Sequence, residues 1–158
     1  MEHVPARSAG VLLWRRRDDT LEVLLAHMGG PLWAKKDAAA WSFPKGLYDA
    51  DEEPVAAAIR EFTEELGVPL PIPAGQLVPL GELRQPSGKW LTVWAAEADL
   101  DPSIVVPGTF TMQWPPRSGR QAEFPEIDRV EWFNLATANA KLVRGQRPFL
   151  ERLVQTTT

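Results

Sequence analysis

The segment Pro54–Gly67 constrains the fold of this chain more than any other, because both ends of its predicted helix are marked. Proline suits a first helical position, where its missing N–H would be unpaired in any case. Gly67 suits the C-terminal cap, and Pro69 prevents the helix from continuing. The apolar residues between them recur at helical spacing: Val55, Ile59, Phe62 and Leu66. The pattern predicts an amphipathic helix over residues 54–67.

Three glutamates, Glu61, Glu64 and Glu65, lie on neighbouring positions of this predicted helix. Like charges this close repel one another, and the helix dipole adds to the cost near the C-terminus. A divalent cation between the carboxylates would remove both penalties, and oxygen ligands favour Mg²⁺ or Mn²⁺ over Zn²⁺. Arg60 precedes Glu64 by four residues and is spaced to pair with it. On their own, the three glutamates favour a solvated helix face over a metal site.

The net charge of −4 argues against sequence-independent binding to long nucleic acids or to an anionic membrane surface. Seven acidic residues and one basic residue lie between Asp49 and Glu65, so the acidic excess is local and favours a metal site. The absence of cysteine excludes disulfides, thiolate metal sites and cysteine nucleophiles. No apolar run approaches a membrane span of about 20 residues, and residues 1–10 lack the apolar core of a signal peptide. We therefore expect a cytoplasmic protein.

The order of predicted elements places the chain in the α/β class, as one domain over residues 1–158. Residues 28–40 and 99–128 are predicted as loops, the second long and with little regular structure. The predicted strands are Ala9–Arg15, Leu21–Ala26, Trp41–Phe43, Leu77–Leu83, Trp90–Glu97 and Arg129–Phe133, and two further helices are predicted at Leu135–Arg144 and Pro148–Val154. This order predicts a mixed sheet with helices on its faces.

The glutamates belong to a longer pattern over residues 46–68 with seven fixed positions: Gly46, Glu52, Arg60, Glu61, Glu64, Glu65 and Gly67. Its chance expectation in a chain of this length is on the order of 10⁻⁷. The pattern resembles the signature of the Nudix hydrolases at every position. A looser similarity to the diadenosine polyphosphate hydrolases of that family rests on Ser8-Ala9-Gly10, Arg15, Trp41 and Pro44-Lys45-Gly46. The tyrosine that those enzymes place downstream has no counterpart, since Tyr48 is the only tyrosine.

The resemblance implies an α/β/α sandwich around a mixed β-sheet and Mg²⁺-dependent hydrolysis of a nucleoside diphosphate linked to another group. It further implies that Glu61, Glu64 and Glu65 bind the metal, Mg²⁺ or Mn²⁺, and that Glu64 or Glu61 is the base. By the same resemblance, Arg60 orients Glu64. Three positions would shape or support the signature itself: Gly46, Glu52 and Gly67. The rival substrates are nucleoside triphosphates, dinucleoside polyphosphates and nucleotide sugars.

Residues outside the signature are candidates for binding a small nucleotide or polyphosphate substrate. Lys45 directly precedes the signature and is placed to meet a phosphate. Arg117 and Arg120 are candidate clamps for the distal phosphates, and Glu126 or Glu123 is a candidate further carboxylate; each is also compatible with an ordinary surface role. Trp33, Trp90 and Trp114 are candidates for stacking on a base. Other tryptophans in strand runs, Trp14, Trp94 and Trp132, are expected in the core, and His3 and His27 receive no role.

Two other functions remain open on the sequence. One is a nucleotide sensor that uses the same fold without turnover, although an intact signature favours an enzyme. The other is an interaction module whose glutamate face is merely solvated. The oligomeric state also remains open.

Overall fold

The computed structural model describes residues 6–157 and confirms the α/β class with a mixed sheet. The strands are β1 (Arg7–Arg17), β2 (Thr20–Met28), β3 (Trp41–Ser42), β4 (Lys45–Tyr48), β5 (Val78–Arg84), β6 (Trp90–Glu97), β7 (Thr109–Gln113), β8 (Gln121–Pro125) and β9 (Ile127–Asn134). The helices are α1 (Pro54–Leu66), α2 (Leu135–Lys141) and α3 (Pro148–Thr157). Within residues 6–157 no helix is long and apolar enough to cross a membrane.

Strand β1 lies at the centre of the larger sheet. It pairs in parallel with β6 along one edge. On its other edge it pairs antiparallel with β4 through its first four residues and with β2 through its last four. The sheet continues from β2 to β3 and β9, and from β6 to β5. Because only the loop 49–53 separates β4 from α1, the pairing of β1 with β4 helps to position the start of the glutamate helix.

Two hydrophobic cores fill the two faces of this sheet, because successive residues of a strand point in opposite directions. Val11 and Leu13 of β1 face α1, where Phe62 and Leu66 are fully buried. Leu12 faces the other layer, whose buried residues include Ala138 of α2 and Phe149 and Leu153 of α3. The helices thus cover both faces, as expected for an α/β/α sandwich.

The structure corrects the prediction that residues 99–128 contain little regular structure. Strands β7 and β8 form an antiparallel hairpin there, in a small sheet of its own. Phe110 and Met112 of β7 alternate with exposed polar residues, and Ala122 and Phe124 of β8 do the same. This period of two is the sequence signal for a half-buried strand, and the many prolines around it conceal it.

The structure also differs from three smaller predictions. Strand β4 was not predicted, and α2 ends at Lys141 rather than at Arg144. Trp14, Trp94 and Trp132 are only partly buried, whereas the fully buried tryptophan is Trp41.

Candidate active site

Helix α1 presents the three glutamates because both of its ends are fixed locally. Pro54 occupies its first turn, and Gly67 adopts φ +67 and donates its N–H to the carbonyl of Thr63 at 2.8 Å. A Cβ at Gly67 would also overlap the carbonyl oxygen of Val106, because the chain at 105–106 crosses the end of the helix. Glycine is therefore required here both by backbone conformation and by space.

Gly46 lets the strand β4 approach the helix closely enough to receive a carboxylate. A Cβ at this position would overlap the carboxylate of Glu61. The backbone N–H of the preceding residue, Lys45, donates to Oε2 of Glu65 at 2.8 Å. Two of the three glutamates of α1 are therefore seated directly against β4, and this contact explains why the signature contains a glycine before the helix.

Arg60 connects three carboxylates of the site. Its guanidinium donates to both carboxylate oxygens of Glu52, at 2.8 and 2.9 Å, which ties the loop before α1 to the helix. It also donates to Glu61 at 2.9 Å and to Glu64 at 3.1 Å. These carboxylates raise the pKa of Arg60, the contact with Glu52 contributing most, so the guanidinium stays charged. The positively charged guanidinium of Arg60 therefore lies beside the glutamates even without a metal ion.

The carboxylates of Glu61, Glu65 and Glu126 repel one another. Burial raises the pKa of Glu65 to about 7, and the charges of Glu61 and Glu126 act in the same direction, opposed by the hydrogen bond from Lys45. Burial also raises the pKa of Glu61, although Arg60 opposes the shift. Both glutamates therefore lie where negative charge is costly, and a bound cation would lower that cost.

Glu126 is the further carboxylate that lies beside these glutamates. Its backbone N–H donates to the carbonyl of Gly108 at 2.8 Å, and its own carbonyl accepts from Gly29 at 2.9 Å. These bonds place it at the start of β9, in the same cleft as Glu65. The other candidate, Glu123, pairs with Thr111 in the hairpin and is exposed, on the side opposite to Phe124. Of the two candidates, only Glu126 is near α1.

The donor set fits a hard divalent cation. Within residues 6–157, no three Asp, Glu or His side chains already converge as a metal site, since Glu61 and Glu64 are turned towards Arg60. However, the nearby side-chain donors are carboxylate oxygens, and the absence of a Cβ at Gly46 leaves the space that the Glu61 carboxylate occupies. The repulsion between Glu61, Glu65 and Glu126 gives a cation a reason to bind there.

A cleft of about 300 Å³ opens beside these carboxylates. Its lining includes Lys45, Glu65 and Glu126 at one end and the aromatic rings of Trp33 and Phe110 at the other. An apolar cavity of about 210 Å³ adjoins it, also lined by Trp33 and Phe110. Phe110 was missed in the sequence, although its alternation with polar neighbours was a usable signal. The cleft thus joins a charged end to an aromatic end.

A second cavity, of about 330 Å³, lies on the other side of Lys45. Its lining contains three cationic side chains, Lys45, Lys89 and Arg144, and no carboxylate. Lys45 is therefore the boundary between the acidic cleft and a basic cavity.

The remaining sequence candidates lie elsewhere. The turn between β7 and β8 contains Trp114, Arg117 and Arg120. The backbone N–H of Trp114 donates to the carbonyl of Arg120 there at 2.9 Å. Arg117 is exposed with φ +63, and none of the three lines the cleft or the basic cavity. Trp90 also lines neither of them; it lies on β6 next to Leu91, and alternate strand residues face opposite ways. Of the three candidate stacking tryptophans, only Trp33 reaches the cleft.

Comparison with known proteins agrees with this geometry. A family model for the NUDIX domain matches residues 4–153. The chain is 31% identical to the RNA pyrophosphohydrolase of Acidiphilium cryptum (strain JF-5) over 172 aligned positions, which cover 96% of this chain and 90% of that protein. It is 40% identical to the RNA pyrophosphohydrolase of Gluconacetobacter diazotrophicus over 57 residues, which are 36% of this chain and 28% of that protein.

Solved structures share the fold at lower identity. A C. elegans Ap4A hydrolase in a binary complex superposes with a TM-score of 0.64 at 21% identity, covering 96% of this chain and 97% of the other. The NUDIX domain of Shewanella oneidensis NrtR, complexed with ADP ribose, gives a TM-score of 0.65 at 16% identity, with 99% and 91% covered. With the signature intact and the family model matching almost the whole chain, the chain belongs to the Nudix family of pyrophosphohydrolases.

Proposed function

We propose that the chain hydrolyses a phosphoanhydride bond of a nucleoside triphosphate or a dinucleoside polyphosphate, with Mg²⁺ or Mn²⁺ as cofactor. One observation carries the proposal: Glu61, Glu65 and Glu126 repel one another beside a cleft that also holds Lys45. Carboxylates that oppose one another in this way favour a hard cation. Lys45 at the same cleft favours a substrate with phosphate groups.

The charged residues of α1 would have different roles in the reaction. Glu61, Glu64 and Glu65 would hold the cation, with Glu126 as a further carboxylate. The bound cation neutralises phosphate oxygens and makes a water molecule easier to deprotonate. Glu64 has the more exposed carboxylate, with 59% of its side chain accessible against 13% for Glu61, and is the better placed to accept a proton from an entering water. Arg60 would orient Glu64 through its 3.1 Å hydrogen bond.

The two cavities that meet at Lys45 favour an extended substrate. Phosphates that pass Lys45 would reach Lys89 and Arg144 in the basic cavity. An aromatic base at the other end would meet Trp33 and Phe110 in the cleft. Stacking on an aromatic side chain contributes about 1–3 kcal/mol for any base, so this contact would favour a nucleotide without selecting one base.

A second candidate substrate is the triphosphorylated 5′ end of an RNA. The observation that favours it is the 31% identity to an RNA pyrophosphohydrolase over nearly the whole chain. The negative charge of the glutamates at residues 61–65 still argues against binding of a long RNA by electrostatic attraction alone. An RNA substrate would therefore be held through its 5′ phosphates and first base.

A nucleotide panel with Mg²⁺ tests the function. The panel contains nucleoside triphosphates, a dinucleoside tetraphosphate, nucleotide sugars and a 5′-triphosphorylated RNA oligonucleotide. A mononucleotide with pyrophosphate would identify a triphosphate substrate, and ATP would identify a dinucleoside tetraphosphate. If no member of the panel releases phosphate, pyrophosphate or a mononucleotide, the proposal is wrong.

Glu64→Gln tests the residue assignment on the best substrate. We expect a loss of at least about 100-fold in kcat, since a neutral amide neither binds the cation well nor accepts a proton. The matched control is Glu53→Gln, an exposed glutamate just before α1 that should retain full activity. Equal activity of the two variants would remove Glu64 from the site.

Calorimetry distinguishes the two rival functions. A nucleotide sensor would bind a nucleotide with Mn²⁺ in a saturable manner but would not turn it over. An interaction module with a solvated glutamate face would show no saturable binding of Mn²⁺.

A further inference from the structure

One buried group has no part in the proposed chemistry: the imidazole of His27 on β2, which has no exposed surface. Its Nδ1 lies 2.7 Å from Oδ1 of Asp128, and its Nε2 lies 2.6 Å from the carbonyl oxygen of Lys36. The ring also meets the indole of Trp41 edge-on, with centroids 5.1 Å apart. A buried side chain with both polar atoms engaged in this way cross-links segments that are distant in the sequence.

The chemistry of the partners fixes the direction of both bonds. A carbonyl oxygen only accepts, so Nε2 of His27 carries a hydrogen and donates it to Lys36. The carboxylate of Asp128 is likewise an acceptor, so Nδ1 also donates a hydrogen, and the two bonds together fix the plane of the ring. Carboxylates orient imidazoles in the same way when a histidine must hold one nitrogen at a fixed point.

The bond to Lys36 holds the segment that carries Trp33. Trp33 donates its backbone N–H to Gly30 at 3.3 Å, and Lys36 donates its own to Trp33 at 3.0 Å, so residues 30–36 form successive turns. Trp33 lines the same cleft as Glu65 and Glu126, at its aromatic end. His27 therefore fixes the C-terminal end of the turn that contains Trp33.

Asp128 lies at a β-bulge, directly after two residues that line the cleft. In the pairing of β2 with β9, His27 lies opposite Arg129 and Met28 lies opposite Ile127, which leaves Asp128 as an extra residue. Bulges of this kind re-aim side chains near functional sites. The residues just before the bulge, Glu126 and Ile127, both line the cleft. One imidazole thus joins the turn that contains Trp33 to the strand that begins directly after Glu126.

We propose that His27 and Asp128 form a positioning pair that preassembles the cleft, holding the Trp33 wall at the distance that suits the aromatic end of the substrate. The identification of the cleft as the substrate site rests on the proposed function. Neither residue of the pair lines the cleft, their polar partners are not the glutamates of α1, and Glu126 keeps its own backbone bond to Gly108. It therefore acts on substrate binding, through KM, and leaves kcat nearly unchanged.

Three variants test the pair in steady-state kinetics with the most active substrate of the panel. His27→Phe keeps an aromatic ring that packs on Trp41 but loses both hydrogen bonds. Asp128→Ala removes only the hydrogen bond at Nδ1 of His27. If either change leaves the assembled cleft populated at about one part in ten, KM rises about tenfold while kcat stays within about threefold. Asp128→Asn is the conservative rescue, because its amide can donate to Nδ1 while Nε2 still donates to Lys36.

Hydrogen–deuterium exchange over residues 29–40 of the substrate-free protein supplies a readout that needs no activity. Faster exchange is expected in His27→Phe and Asp128→Ala, and wild-type exchange in Asp128→Asn. Wild-type KM and exchange in Asp128→Ala would overturn the inference, and so would a lower Tm of His27→Phe with an unchanged KM. If the wild type has no activity while exchange follows the expected order, the proposed function fails and the cross-link stands.

Discussion

Glu65 gives the sharpest test of the electrostatics of the site, through the stability of the metal-free protein. Folding raises the pKa of this carboxyl from an ordinary value of 4.5 to about 7, chiefly by burial. The folded state then holds a proton that the unfolded state releases between pH 4.5 and pH 7. Stability linked to this proton is fully present below pH 4.5 and is lost as the pH rises to about 7.

The structure sets the size of the effect. At 1.36 kcal/mol for each pH unit of pKa difference, a shift from 4.5 to about 7 corresponds to about 3 kcal/mol. Glu65→Gln should remove this dependence, because the amide stays neutral and its oxygen still accepts from the backbone N–H of Lys45. In EDTA at pH 8, we expect the variant to be more stable than the wild type by about this amount.

Urea unfolding between pH 4.5 and pH 8, followed by circular dichroism in EDTA, provides the measurement. The difference in free energy of unfolding between Glu65→Gln and the wild type should grow with pH and level off above pH 7. The control is Glu64→Gln on the same helix, where 59% of the carboxylate side chain is exposed. A difference for Glu65→Gln that does not change with pH would refute the argument that this carboxylate is costly to ionise.

Three further perturbations test the geometry around α1. Gly46→Ala places a methyl group where the Glu61 carboxylate lies, so we expect kcat/KM to fall about 10-fold or more with little change in Tm; unchanged kinetics would contradict the close approach. Gly67→Ala should destabilise the protein by about 1–3 kcal/mol in thermal unfolding, because it meets both a positive φ and the Val106 carbonyl, whereas Gly75→Ala has open space and serves as the control. EDTA should abolish turnover without changing the far-UV circular dichroism, and Mg²⁺ or Mn²⁺ should restore it; activity that resists chelation would argue against a metal-dependent reaction.

The helix and its glutamates were predictable because the information is local. Pro54, Gly67 and the apolar spacing between them mark one helix, and spacing alone places Glu61, Glu64 and Glu65 side by side. The structure adds the environment, which spacing does not contain. It shows Glu65 buried against β4, Glu61 above Gly46, and Glu64 exposed.

The substrate side was predicted less well because it depends on contacts between distant segments. Glu123 and Glu126 look equivalent in the sequence, and the pairing of β8 with β7 turns one to solvent while the bond to Gly108 brings the other to the cleft. Phe110 reaches the cleft through the same hairpin. His27 was assigned no role, because its partners lie 9 and 101 residues away. Long-range register of this kind cannot be inferred from residue spacing.

Arg60 has a consequence for how the proposed cation would bind. The guanidinium already neutralises part of the charge on Glu61 and Glu64, so it acts as an internal counterion that competes with an incoming cation for the same oxygens. Binding a cation is then an exchange, in which the gain from the new ligands is offset by the loss of contacts to Arg60. Such an exchange would limit the affinity of the protein for metal alone. A substrate that brings phosphate oxygens as additional ligands shifts the balance, which would couple metal loading to the arrival of substrate.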